Sequence, residues 1–198
     1  MILEIVLTIN HHPDYLLRRW KRDPSHHFIQ HLPYREGWKI IVAGSIARGR
    51  VTDAEPLRVA VIGIGEVGTV FATALAARGD VSLALASRPG PSAARKARDH
   101  GWTILADPAE AVAGADIVLL TLSSGGLQDV AARIAPRLRR DALVVDLSSS
   151  PPEQVSEALE AISAAGAAPV DGAIMGAVSM QGLSTPILLA GRAAARCK

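Results

Sequence analysis

The stretch VAVIGIGEVGTVFATALAARGDVSLALASR, running from Val59 to Arg88, decides the fold. It opens with Val59-Ala60-Val61-Ile62, too short for a helix and β-branched enough for a buried strand. Gly63-Ile64-Gly65-Glu66-Val67-Gly68 follows at once and matches G-x-G-x-x-G. A helical pattern comes next, with Val70, Phe71, Ala74, Leu75 and Ala77 returning to one face. Arg78-Gly79 reads as its end, with Gly79 as a left-handed cap. A second apolar strand over 81–86 closes on Ser87-Arg88.

Strand, glycine turn, helix and strand in immediate succession give the glycines a shared task, holding a dinucleotide. An ordinary glycine turn in another α/β protein is the alternative, and it does not require this order. Gly63 allows the tight turn, Gly65 lets backbone approach a pyrophosphate, and Gly68 lets helix and strand pack closely. The N–H groups of Ile64, Gly65, Glu66 and Val67, at the positive end of the helix, would hold the phosphate charge.

Beyond Arg88 the alternation continues. Helices are expected over 92–100 (closed by Gly101), from Asp107-Pro108, over 127–138 and from Ser150-Pro151-Pro152-Glu153 to about residue 165. Strands are expected over 102–105, 115–122, 142–146 and 167–171. The pattern is α/β, a Rossmann-type doubly wound and mainly parallel sheet with an irregular N-terminal extension. Ser87, Ser123 and Ser148 end three strands on the edge where such sheets bind ligands.

Three segments are expected: an extension over 1–56, a dinucleotide-binding domain over 57–192, and the start of a further helical domain over 193–198. The first holds 8 of the 21 Lys/Arg, five of the six histidines and five of the seven aromatics, a sharp break from the alanine-rich remainder. Strands at 2–9 and 38–43 and a basic quartet, Arg18, Arg19, Lys21 and Arg22, fall inside it. His26, His27 and His31 lack a cysteine or a suitably spaced carboxylate, so a solvated histidine cluster is preferred to a metal site. Upstream sequence read into the chain is the other account of this segment.

A net charge of +2 gives no argument for nucleic acid, and no segment has the apolar length of a membrane span. Cys197 is the only cysteine, which fits a reducing, cytoplasmic setting. No basic leader region precedes the first apolar residues.

The end of the second strand bears on the cofactor. A site that prefers NAD places a carboxylate there for the ribose 2′-OH. Ser87 and Arg88 offer a hydroxyl and a guanidinium instead, which suit a 2′-phosphate, so NADP is expected over NAD. A solvated loop arginine is the alternative reading of Arg88, and the less favoured one. Leu122, Ser123 and Ser124 are candidates for the nicotinamide ribose side, though the serines would serve equally as caps for the following helix.

The glycine stretch, ADIVLLTLSS over 115–124, VVDLSSSPP over 144–152 and VDGAIMG over 170–176 occur in that order. Together they resemble the NADP-binding domain of the 6-phosphogluconate dehydrogenase and β-hydroxyacid dehydrogenase superfamily, over residues 57 to about 192. Asp146 to Pro152 is similar to the family's D-x-S-T-x-x-P segment, with Ser149 for threonine. Residues 170–177 resemble its D-x-P-V-S-G-G segment, with Ala173, Met175 and Ala177 in place of Pro, Ser and the second Gly. The D-G-A-I-M-G form is closer to a subgroup with a distinct helical C-terminal domain.

The resemblance implies hydride transfer between nicotinamide and a hydroxy-acid-like small-molecule substrate, and a homodimer for full-length relatives. It makes Ser148, Ser149, Met175 and Gly176 substrate-side candidates. The family's acid/base lysine lies on a helix after this domain. Lys21, Lys39, Lys96 and Lys198 are the only lysines and none matches it, so no catalytic residue is assigned and a truncated enzyme is expected. A non-catalytic NADP-binding module or degenerate fragment is the second reading, and an imine or ketone reductase of the same superfamily the third. Arg78-Gly79-Asp80 reads as a turn and not an adhesion motif, and Ser148, His100 and Asp146 lack the elbow of a hydrolytic triad.

Overall fold

The computed structural model describes residues 55–123 and 125–197. The strands, the histidine cluster and the basic quartet expected in the N-terminal extension therefore lie outside the described residues, as does Ser124. Seven strands form one sheet: β1 Leu57–Ile62, β2 Val81–Ala86, β3 Ile104–Leu105, β4 Ile117–Leu120, β5 Leu143–Asp146, β6 Ala168–Ile174 and β7 Ile187–Ala190. Their order is β3-β2-β1-β4-β5-β6-β7, and only the β6–β7 pair is antiparallel. The helices are α1 Glu66–Ala76, α2 Pro91–His100, α3 Pro108–Ala111, α4 Leu127–Ile134, α5 Pro152–Ala164 and α6 Val178–Gln181.

Alternation along the central strands builds two cores. Val59 and Val61 of β1, Leu119 of β4 and Val145 of β5 face α1 and pack with Phe71, Ala72 and Leu75. Ala60, Ile62, Val118, Leu120 and Val144 face the other way, toward Leu127, Ala131 and Ile134 of α4 and Ala158 and Ile162 of α5. With both faces covered, β4 and β5 are buried at every residue, and all but Asp146 at the end of β5 are apolar.

The end of α1 differs from expectation. Ala77 caps it in the right-handed conformation, and Gly79 is not among the glycines with positive φ. Ordinary bonds from Ala77 N to Thr73 O and Arg78 N to Leu75 O close the last turn, so no left-handed residue is required. An Arg78–Asp80 ion pair then ties the turn into β2. Of the expected face, Phe71 and Leu75 are buried and Val70 and Ala74 half-buried, but Ala77 is exposed and Ala72 is buried beside them. Gly101, by contrast, does cap α2 with φ +68.

At the sheet edges the pattern was incomplete. β3 shrinks to two residues because it pairs only with Leu85 and Ala86, and Trp102 stacks on His100 with ring centroids 4.1 Å apart. β6 runs on to Ile174 because β7 pairs with Asp171–Ile174 from the other side. The segment after residue 192 forms a 3-10 turn over Ala194–Cys197, whose Ala193, Ala194 and Cys197 are buried on the α1 side of the sheet. Burial pushes the Cys197 thiol up to about 11, against the thiolate form that reactive cysteines use. No described helix is long and apolar enough to cross a membrane.

Candidate functional site

The strand order reverses between β1 and β4, and the carboxyl ends of parallel strands flank a crevice at such a point. β1 delivers the glycine turn there. Gly63 N donates to Ala86 O on one side at 2.8 Å, and Thr121 N donates to Ile62 O on the other at 2.9 Å. Gly63 has φ +98, and a Cβ on it would stand 2.6 Å from the carbonyl oxygen of Thr121. The turn therefore needs glycine for both conformation and space.

Thr121 was not singled out from the sequence. Its buried hydroxyl donates to Gly63 O at 2.6 Å and contacts Ile62 O at 3.2 Å, fixing the turn from β4. The register supplies the clue, since Ile62 pairs with Leu120 and the next residue must face the turn.

Gly65 is the N-cap of α1 and offers no side-chain cap. Among the described residues no group accepts a hydrogen bond from the N–H of Gly65, Glu66, Val67 or Gly68. Four donors at the positive end of an eleven-residue helix suit a diphosphate, and nothing lies within 4 Å of where a Gly65 side chain would begin. The residues present thus fit the pyrophosphate of a dinucleotide.

Two further contacts were not anticipated. Lys96 on α2 donates from Nζ to Ile64 O at 2.7 Å and to Gly65 O at 2.9 Å. Partial burial and the neighbouring Arg95 hold this ammonium below the ordinary lysine value, with Glu66 acting the other way. Glu66 Oε1 accepts from Ser179 N at 3.1 Å, linking the glycine turn to α6.

At the end of β2, Ser87 N donates to Leu105 O, and the Arg88 side chain is exposed. Asp80 stands at the opposite end of this strand. Its hydrogen bond with Arg78 holds the carboxyl below the usual range. It is therefore remote from any ribose bound at Ser87.

Beside the turn lies a cleft of about 280 Å³, lined by Glu66, Val67, Thr121, Leu122, Leu147, Ser148, Ser149, Ile174, Gly176, Ala177 and Val178. It brings the glycine turn together with Leu122, Ser148, Ser149 and Gly176. Ser123 is exposed and does not line it, nor does Met175, which lies between two residues that do. Gly126 caps α4 without any side-chain bond, so the capping alternative for Ser123 does not apply.

Behind the cleft, buried Asp146 accepts from Ser148 N at 3.0 Å and from Ser148 Oγ at 3.1 Å. Ser148 Oγ also lies 3.0 Å from Ser150 Oγ. Burial raises the Asp146 carboxyl to about 6 against the pull of the Ser148 bonds, and its register partner Asp171 is raised by burial too. His100 ends α2, stacked on Trp102, so the Ser148–Asp146 pair has no third member of a triad in it.

Comparison with known proteins agrees with this geometry. No curated protein matches the sequence significantly. Among solved structures, the conserved protein MTH1747, described as of unknown function and structurally similar to 3-hydroxyacid dehydrogenases, shares 29% identity at a TM-score of 0.60. The match covers 71% of this chain and 52% of that one. A conserved protein from Sinorhizobium meliloti 1021 shares 32% identity at 0.60, over 71% and 48% of the two chains. Mycobacterium tuberculosis 3-hydroxyisobutyrate dehydrogenase, at 23% identity and 0.63 over 71% and 49%, shares the fold. The chain spans about half the length of these three. Residues 58–197 match the family described as the NAD binding domain of 6-phosphogluconate dehydrogenase, and with its glycine turn at the switch point the chain belongs to that family as an NAD(P)-binding domain.

Proposed function

We propose that this chain is the NADP-binding part of an oxidoreductase of the 6-phosphogluconate and β-hydroxyacid dehydrogenase type, acting on a small hydroxy-acid-like substrate. The observation that carries the reading is the row of unengaged N–H groups from Gly65 to Gly68, set beside the cleft at the β1–β4 crevice. The nicotinamide, when bound, supplies or accepts the hydride. The chain's own residues hold the diphosphate at the glycine turn. Thr121 keeps that turn in shape, and Ser148 and Ser149 offer hydroxyls to whatever occupies the cleft. The preference for NADP rests on Ser87 and the exposed Arg88, with Asp80 paired to Arg78 just before the opposite end of β2.

A second reading, a non-catalytic dinucleotide-binding module, is favoured by the cleft's lining. Glu66, whose Oε1 accepts from Ser179 N, is its only ionisable side chain among the described residues, so the lining offers no lysine or histidine to manage a substrate proton. Fluorescence titration with NADPH and NADH tests what both readings share. Saturable binding with NADPH the tighter ligand is expected, and no binding of either at about millimolar levels, a weak −4 kcal/mol event, would overturn both. Turnover of NADPH with a panel of short keto and hydroxy acids then separates enzyme from module.

A further inference from the structure

Lys96 belongs to no part of the glycine signature, yet it holds that signature in place. It sits on α2, a helix with no buried residue, and reaches back to the carbonyls of Ile64 and Gly65 at 2.7 and 2.9 Å. In a trans peptide unit the C=O and the following N–H point in opposite directions, and no described peptide bond is cis. An ammonium that captures both carbonyls from one side therefore turns the N–H groups of Gly65 and Glu66 to the other. Those are two of the donors that no group of the described protein engages. A charge-assisted bond on the oxygen also polarises each peptide unit and strengthens its N–H as a donor. Thr69 also holds Gly65 O from within α1, through its N at 3.1 Å and its Oγ1 at 2.5 Å, whereas Lys96 reaches both carbonyls from outside the turn.

We propose that Lys96 is a positioning residue of the cradle: by binding the Ile64 and Gly65 carbonyls it aims the Gly65 and Glu66 N–H groups at a dinucleotide's diphosphate. This rests on the dinucleotide reading above. Because the diphosphate is common to both cofactors, Lys96 acts on NADPH and NADH alike, unlike Arg88.

The test compares Lys96→Met and Lys96→Arg with the unaltered chain. Each is titrated with NADPH and NADH by fluorescence, melted thermally, and recorded by amide NMR at Gly65 and Glu66. Lys96→Met is expected to weaken both cofactors by the same factor of roughly ten, the scale of a lost charged hydrogen bond. Its melting midpoint should stay within about 2 °C, the two amide signals should move, and Lys96→Arg should recover most of the affinity. Affinities within about twofold of the unaltered chain would overturn the role. So would a loss confined to NADPH, which would assign the ammonium to the 2′-phosphate. A drop in melting midpoint that Lys96→Arg fails to restore would overturn it in favour of packing. If the unaltered chain binds neither cofactor, the dinucleotide reading falls and Lys96's role with it. Binding by that chain with Lys96→Met unaffected overturns only the latter.

Discussion

A Cβ on Gly68 would stand 2.0 Å from the carbonyl oxygen of Gly63, so the first turn of α1 rests directly on the end of β1. The same carbon would lie 2.7 Å from Thr121 Oγ1, which itself bonds Gly63 O. The obstacle is backbone held from two sides, and it has little freedom to retreat. Gly68→Ala is expected to destabilise the fold by about 1–3 kcal/mol and to abolish dinucleotide binding. At Gly65 an added Cβ meets nothing within 4 Å. Gly65→Ala should therefore leave the unfolding midpoint in place while weakening the dinucleotide, whose approach it obstructs. Equal losses of stability in the two variants, read by urea melts, would refute this division of labour.

Arg88 is expected to separate the cofactors. Its exposed guanidinium follows β2, where a bound adenosine ribose would lie. Arg88→Ala should weaken NADPH by roughly tenfold and leave NADH within about twofold, the loss shrinking as salt rises. Parallel titrations at two ionic strengths measure this. A uniform loss for both cofactors would show that Arg88 does not read the 2′-phosphate.

Much of this site was legible because glycine and burial leave strong local signals. The turn at Gly63 to Gly68, the capping Asp107 and the apolar runs of β4 and β5 each depend on a few adjacent residues. Lys96 and Ser179 were not legible, since their partners lie more than thirty residues away and the contacts run through backbone atoms that any residue carries. β7 was missed for a related reason. Ile187–Ala190 has no alternation, and only its antiparallel pairing with β6 makes it a strand. Gly79 misled because a glycine after a helix invites a left-handed cap, whereas here a right-handed Ala77 and an ion pair complete the turn.

Glu66 places a carboxylate in the first turn of α1, among the donors of the cradle. There it favours the helix dipole but opposes an incoming diphosphate. Glu66→Gln keeps an oxygen for Ser179 N and removes the charge. A slightly lower melting midpoint is expected, with dinucleotide affinity raised by roughly two- to tenfold and more so at low ionic strength. Weaker binding, or no dependence on salt, would show that the carboxylate helps the ligand.

Asp146 should make the fold less stable as pH rises. Burial lifts its carboxyl from 3.8 to about 6, with the Ser148 bonds lowering it and Asp171 raising it. Between about pH 4 and 6 the folded chain keeps a proton that the unfolded chain has released, so stability falls across that window and levels off above it. The loss is at most on the order of 3 kcal/mol. In Asp146→Asn the amide oxygen can still accept from Ser148 N, while its NH₂ donates to Ser148 Oγ, leaving that hydroxyl free to donate to Ser150. The variant should therefore match the unaltered chain near pH 4 and exceed it above pH 6. Urea melts of both proteins at the two pH values give the difference directly, with carboxylates remote from Asp146 cancelling. A gap that stays constant with pH, or that favours the unaltered chain at neutral pH, would show that Asp146 is held as a stable carboxylate.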